Sequence, residues 1–258
     1  MTPLFSPAGD QALVDLLQRR PLLAFDFDGT LAPIVDRPER ARVPMAWAEM
    51  LIELARLLPT AIVTGRSVTD VTARLPFSPR YVLGNHGAED PKGAMRPGSV
   101  ARLAPVRHAL DQLAPQWQAL GIELEDKQFS LALHYRRAPD LLAAREWIDA
   151  LLRNGDQAGL HIFHGKCVLN IAPDDAADKA DAVMSLVRRA GTTAALFAGD
   201  DINDEPVFER VPHDWLTLKV GDDGHPSRAR YVIDTQEDVG KLLKRLLELA
   251  VLGAAQSS

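Results

Sequence analysis

The sequence predicts an α/β fold: a doubly wound, mostly parallel (Rossmann-like) core sheet carrying a smaller inserted α+β domain. Three observations predict it. Short unbroken apolar runs at 22–25, 60–64, 81–83 and 194–198 suit strands buried on both faces, as in the middle of a parallel sheet. Segments of helical periodicity separate the core strands, the pattern of βαβ units. The stretch 91–98 concentrates two prolines and two glycines, and beyond it the alternation changes character until Pro173. The expected division is a core of 1–98 and 172–258 with an insert of 99–171.

Residues 10–20 form an amphipathic pattern leading into the first strand. That strand ends in Asp26-Phe27-Asp28-Gly29-Thr30-Leu31. Side chains alternate along a strand, so Asp26 and Asp28 would share a face, and Gly29 permits a sharp turn. Pro33 and Pro38 break regularity before a helix over 44–58, with Pro44 near its start and apolar Met45, Leu51, Ile52, Leu54, Ala55 and Leu58. The second strand ends in Thr64-Gly65-Arg66-Ser67, and Ser67 with Asp70 has the spacing of a capping box for the next helix. The third strand, 81–83, runs into Gly84-Asn85-His86-Gly87-Ala88-Glu89.

In the insert the pattern gives a helix over 100–119, strands at 122–126 and 128–136, a helix over 140–152, and strands at 160–164 and 167–171. Along 129–136, Phe129, Leu131, Leu133 and Tyr135 fall on one face. Ser130, Ala132, His134 and Arg136 fall on the other, expected to be open. The core resumes with a helix over 176–190 that has Lys179 in its first turn. The strand 194–198 then meets Gly199-Asp200-Asp201-Ile202-Asn203-Asp204-Glu205. Strands at 215–220 and 230–233 follow, and the last helix opens on Thr235 with Asp238 as capping partner. Its stripe is Val239, Leu242, Leu243, Leu246 and Leu247, and the tail from Gly253 is expected to fray.

A chain of 258 residues can bury an ample core. Its formal net charge of -6 argues against nucleic acid or an anionic membrane surface as the main partner. Cys167 is the one cysteine, which excludes an internal disulfide, suits a reducing compartment and points to a small core residue. With no basic-then-apolar leader and no apolar run of membrane-spanning length, the expected location is cytoplasmic.

Four strand or helix ends carry polar groups: Asp26/Asp28, Thr64, Lys179 and Asp200/Asp201. In a doubly wound sheet such ends can meet at one crevice. A polar residue, then Gly, then a helix start also suits an anion. Each piece has a plainer explanation: a strand with a polar turn, ordinary turn chemistry, a solvated lysine, an acidic helix start favoured by the dipole. No zinc ligand set and no Gly-rich Walker loop is present.

Taken in order, D-F-D-G-T-L, T-G-R, Lys179 and G-D-D-x-x-D-E resemble the haloacid dehalogenase superfamily of phosphotransferases. The strings D-F-D-G-T-L-A-P-I (26–34), G-N-H-G-A-E (84–89), L-E-D-K-x-x-S-L-A-L-H-Y-R (124–136) and G-D-D-x-x-D-E (199–205) narrow the resemblance to trehalose-6-phosphate phosphatases, over roughly residues 20–210. The resemblance implies Asp26 as a nucleophile that becomes phosphorylated and Asp28 as general acid/base. It implies phosphate binding by Thr64, Gly65, Arg66 and Lys179, and Mg²⁺ as cofactor on Asp26, the Asp28 carbonyl, Asp200 and Asp201. It makes the insert a cap that grips the sugar, through Lys127, His134 and Arg136, with Asn85, His86 and Glu89 from the core.

The chemistry agrees. A phosphomonoester dianion repels a carboxylate nucleophile, so cations must surround it, and Lys179 would act as a point charge. Three positions depart from the family's usual residues: Ala180 for Gly, Asn203 for Thr, and Asn170 for Glu. The expected reaction is Mg²⁺-dependent hydrolysis of trehalose 6-phosphate to trehalose and phosphate. Sucrose phosphate or a mannosyl-phosphoglycerate is the alternative substrate, and a non-catalytic phosphosugar-binding regulator the alternative class. Neither nucleic acid nor membrane is an expected partner, and the oligomeric state stays open.

Overall fold

The computed structural model describes residues 1–92, 100–155, 157–165, 167–222 and 224–255. The chain divides into two compact units, Met1–Lys92 with Ala177–Ser258, and Gly93–Ala176. The insert therefore ends later than 171. Arg102 holds Asp174 at 2.5 Å and Asp175 at 3.3 Å, which ties the exit segment to the inserted unit.

In chain order the core strands are β1 (Thr2–Pro3), β2 (Leu22–Phe25), β3 (Thr60–Val63) and β4 (Tyr81–Leu83). The insert adds β5 (Glu123–Asp126), β6 (Leu131–His134), β7 (Leu160–Gly165) and β8 (Val168–Pro173), and the core ends with β9 (Ala195–Gly199), β10 (Leu216–Val220) and β11 (Tyr231–Ile233). The helices are α1 (Pro7–Gln18), α2 (Met45–Leu57), α3 (Val68–Thr72), α4 (Ala104–Gln112), α5 (Ala114–Ala119), α6 (Leu141–Asn154), α7 (Lys179–Ala190), α8 (Glu205–Arg210) and α9 (Val239–Ala255).

The core sheet has the order β1-β11-β10-β9-β2-β3-β4, and its six strand pairs are all parallel. From β2 the chain winds one way through β3 and β4. From β9 it winds the other way through β10 and β11. The reversal between β2 and β9 is the switch point at which such sheets bind ligands. All four residues of β2 and all five of β9 are buried, as continuous apolar runs between two helical layers must be. Leu242, Leu243 and Leu246 of α9 complete the same core.

The insert has its own antiparallel sheet, β5-β6-β8-β7, and its own core, in which Leu131, Leu133, Tyr135, Leu169 and Ile171 pack with Trp117, Ala144 and Ile148. Several expectations need correction. The single helix over 100–119 is a 3₁₀ turn at Val100–Leu103 followed by α4 and α5, because Pro115 has no N–H to continue the ladder. The polar face of β6 is only partly open: Ser130 and Ala132 are buried, and Arg136 is exposed. Cys167 is half-buried at a hairpin position with φ +60°, packed against the insert's core rather than within it. The last helix runs through Gly253 to Ala255, since one glycine costs a helix only about 1 kcal/mol. Residues 256–258 of the tail lie outside the described residues. Among the described residues no helix is long and apolar enough to cross a membrane.

Candidate active site

β3, β2 and β9 lie side by side, so their carboxyl ends open at one edge of the sheet. The Asp26 N–H extends the ladder by donating to Ala198 O at 2.9 Å, which carries the carboxylate one residue past β2. The chain then closes a tight loop, with Ala32 N–H on Phe27 O at 2.8 Å and Gly29 N–H on Ala32 O at 2.7 Å. Gly29 has φ +77°, and a Cβ there would lie 1.9 Å from Asp200 Oδ2. Only glycine fits that turn beside that carboxylate. Lys179 is the first residue of α7, behind Asp178, whose side chain forms a capping box with Asp181.

Lys179 is 2 % exposed, and its Nζ stands 2.9 Å from Asp26 Oδ2 and 2.7 Å from Asp204 Oδ1. Asp204 Oδ2 accepts the Asp201 N–H at 3.0 Å, so both its oxygens are engaged. Carboxylate oxygens of Asp26, Asp200 and Asp204 lie within 4.8 Å of one another. Burial pushes the Asp26 carboxyl up to about 7; Lys179 pulls it down and Asp204 pushes against that. Burial, then Asp26 and Asp204, push Asp200 up to about 9. Burial works against the Lys179 ammonium, but Asp204 and Asp26 outweigh it and raise its pKa. A second buried lysine, Lys219 of β10, donates to the main-chain oxygen of Asp200 at 2.6 Å.

An all-oxygen group of two buried carboxylates and the half-buried Asp200, with an excess of negative charge, fits a hard divalent cation. Asp26 and Asp200 are the two offered to it: Asp204 is held by Lys179 and the Asp201 N–H, and Asp26, whose oxygens meet Lys179 and the Phe27 N–H, would share one of them with the cation. Asp201 stands apart from this group. Its carboxylate accepts the Ile202 N–H at 2.6 Å and Asn203 Nδ2 at 3.1 Å, capping a 3₁₀ turn. Asp204 and Lys219 are the two members that sequence reasoning missed. Asp204 had a signal in its place within the acidic string, while Lys219 is one charge in an otherwise buried strand.

Thr64 is buried, and its Oγ1 accepts the Arg66 N–H at 3.2 Å. A Cβ on Gly65 would come 2.5 Å from the His86 ring, so that loop and the 84–89 turn pack backbone to side chain. Asn85 and His86 have φ +50° and +57°, and their N–H groups donate to Arg66 O and Thr64 O, each at 2.8 Å. Glu89 Oε2 accepts from Asn85 Nδ2 at 2.8 Å and from Val68 N–H, at the start of α3, at 3.0 Å. The 84–89 string thus braces the Thr64 loop. Asp28 is gripped by Arg66, whose Nε and Nη2 each stand 2.6 Å from one carboxylate oxygen. Ser67 accepts the Asp70 N–H at 3.2 Å, but Asp70 turns its carboxylate to Arg66 and Arg74, so only half the expected capping box forms.

In the inserted unit Glu125 lies 2.8 Å from His134 Nε2 and 3.7 Å from Lys127 Nζ. Asn170 is buried on β8, in register with Ala132 of β6 and Phe163 of β7. Ala180 is fully buried, so its methyl occupies packed space in α7.

A family model described as trehalose-phosphatase matches residues 24–228. The trehalose-phosphate phosphatase of Mycobacterium leprae is 32% identical over 256 residues, which span 90% of this chain and 58% of that protein. The trehalose-phosphate phosphatase of Mycobacterium ulcerans is 32% identical, spanning 91% of this chain and 63% of its own. An uncharacterized glycosyl hydrolase of Mycobacterium tuberculosis is 34% identical over 83% of this chain, which matches only 17% of that longer protein. The chain thus spans less than two thirds of the length of these relatives. Among solved structures, a trehalose-6-phosphate phosphatase related protein aligns with TM-score 0.71 and 25% identity over 90% of this chain and 99% of that one. The C-terminal domain of the Candida albicans trehalose-6-phosphate phosphatase aligns with TM-score 0.75 and 22% identity over 97% and 98%, and shows the shared fold.

Proposed function

The chain belongs to the trehalose-phosphatase family, and on that footing we propose that it hydrolyses trehalose 6-phosphate to trehalose and phosphate through an aspartyl-phosphate on Asp26. The observation that carries the reading is Asp26 itself: a buried carboxylate at the switch point of the sheet, ion-paired to a buried lysine at 2.9 Å. A surface aspartate would not need such a partner, and a structural ion pair would not need two further carboxylates around it.

In the first step an Asp26 oxygen attacks phosphorus and the bond to the sugar oxygen breaks. Asp28 enters this step protonated, with the proton on a lone pair that Arg66 does not occupy, and gives it to the leaving oxygen. In the second step Asp28 takes a proton from water, the water oxygen attacks phosphorus, and the Asp26 carboxylate is released. Lys179 counters part of the upward push that burial gives the Asp26 carboxyl, and offsets the charge brought by the phosphoryl group. Thr64 offers a hydroxyl to a phosphoryl oxygen. Asp26, Asp200 and the Asp28 carbonyl would hold Mg²⁺, which when bound neutralises phosphoryl oxygens. By family likeness we assign the sugar to Lys127, His134 and Arg136 of the insert, with Asn85, His86 and Glu89 of the core.

Phosphate release over a panel of sugar phosphates tests this. Trehalose 6-phosphate is expected to be hydrolysed far faster than glucose 6-phosphate or sucrose 6-phosphate, with activity lost in EDTA and regained with Mg²⁺. Equal rates on all three would overturn the substrate, and full activity in excess chelator would overturn the metal.

A further inference from the structure

We propose that Arg66 is a positioning residue for the acid/base Asp28 rather than a phosphate ligand, and that Asp70 acts through it; the inference rests on the function proposed above. Four of the five N–H donors of the side chain are engaged. Nε and Nη2 take the two oxygens of Asp28 at 2.6 Å each, Nη1 takes Asp70 Oδ2 at 2.7 Å, and Nη2 also reaches Pro38 O at 2.9 Å. Its carbon stands 5.4 Å from the centroid of the buried Phe27 ring. A two-point pair between guanidinium and carboxylate fixes a plane as well as a distance, which a single hydrogen bond does not.

The anchor continues outward. Arg74 Nε holds Asp70 at 2.9 Å, and Arg74 Nη1 donates to Glu39 O at 2.5 Å. Asp28 itself sits half-exposed on the turn after β2, where its own rotamers would leave it loose. Two carboxylates already face the one guanidinium charge, so a phosphate at Arg66 would compete with both for it. Thr64 and Lys179 lie at the adjacent strand and helix ends and leave Arg66 free for the other task.

A residue that aims the acid/base supports the chemical step, whereas a phosphate ligand supports binding. The two roles therefore separate in kinetics. The variants are Arg66→Lys, which keeps the charge and loses the fork, and Asp70→Asn, which keeps the shape and loses the charge. With trehalose 6-phosphate and Mg²⁺, Arg66→Lys is expected to lower kcat by roughly 10²-fold, the cost of a small misplacement of a reacting group, with KM within about threefold. Calorimetric affinity for inorganic phosphate should also stay within about threefold. Asp70→Asn should lower kcat several-fold with KM unchanged. A tenfold weaker KM and phosphate affinity at preserved kcat would overturn the proposal, as would an Asp70→Asn variant equal to wild type. If Arg66→Lys does not fold, Asp70→Asn carries the kinetic test. If wild type releases phosphate from no sugar phosphate, the proposed function fails. The positioning role is then judged by a crystal structure of the wild-type chain: Arg66 on Asp28 supports it, and Arg66 turned away from Asp28 overturns it.

Discussion

Lys179 in the core and Lys127 in the insert both stand near carboxylates, but the carboxylates differ in burial and in distance. Lys179 is locked between Asp26 and Asp204 at 2.9 and 2.7 Å, with every partner buried. Lys127 lies 3.7 Å from Glu125, a side chain that is 51 % exposed and also meets His134. Removing one member of a buried pair leaves an uncompensated charge and costs about 3–5 kcal/mol, while an exposed pair contributes about 0–1 kcal/mol. The core couples its chemistry to its stability. The exposed polar residues of the insert, unlike its buried Ser130 and Asn170, can change at little cost to folding, which suits a surface that selects among ligands.

The largest effect that would sharpen this contrast is on turnover. Asp26→Asn should abolish phosphate release while the fold survives, since the amide keeps the shape and relieves a buried charge. A variant retaining more than a few per cent of wild-type activity would remove Asp26 from the nucleophile's place.

Next comes stability. Lys179→Met should destabilise the chain by about 3–5 kcal/mol in denaturant titrations, because three carboxylates then face one another without their ammonium. Glu125→Gln in the insert should cost about 1 kcal/mol or less. Similar costs for the two would break the comparison.

A smaller effect follows pH. Folding raises the Asp26 and Asp200 carboxyls from 3.8 to about 7 and about 9. A raised carboxyl binds its proton more tightly when folded, so its contribution is complete below 3.8 and is lost as pH rises through about 7 and about 9. Without metal, the melting temperature should be lower at pH 9 than at pH 6, and Mg²⁺ should restore more of the loss at pH 9. A metal-free protein that melts equally at both would show that these carboxyls are not held as described.

The smallest effect is in the insert. Arg136→Ala should reduce the preference for trehalose 6-phosphate over glucose 6-phosphate by roughly tenfold, about 1.4 kcal/mol, with no change in melting temperature. An unchanged preference would take Arg136 out of sugar recognition.

What could be read in the sequence follows the same divide. β2, β3 and β9 were legible because both their faces are buried, which leaves continuous apolar runs. Asp26, Thr64, Lys179 and Asp200 were legible because each sits at an abrupt change from apolar run or helix start to polar turn. β1 was not, being two residues long with no periodicity to show. The role of Asp204 depends on a capping turn that points it back at Lys179, 25 residues away in sequence. Lys219 carries no local mark because its partner is a main-chain oxygen on the neighbouring strand. The T-G-R string drew attention to Arg66 but concealed its partner, Asp28, which is 38 residues distant. Exposed turns in the insert offered motif likeness without the burial that fixes geometry.

The central claim is that Asp26 bonds to phosphorus, and acid quench during turnover tests it most directly. Wild-type chain mixed with radiolabelled trehalose 6-phosphate and Mg²⁺ should retain acid-stable, base-labile label on the peptide that contains Asp26, and Asp26→Asn should retain none. Steady phosphate release with no label on the wild-type chain, or label of equal amount on Asp26→Asn, would contradict the account.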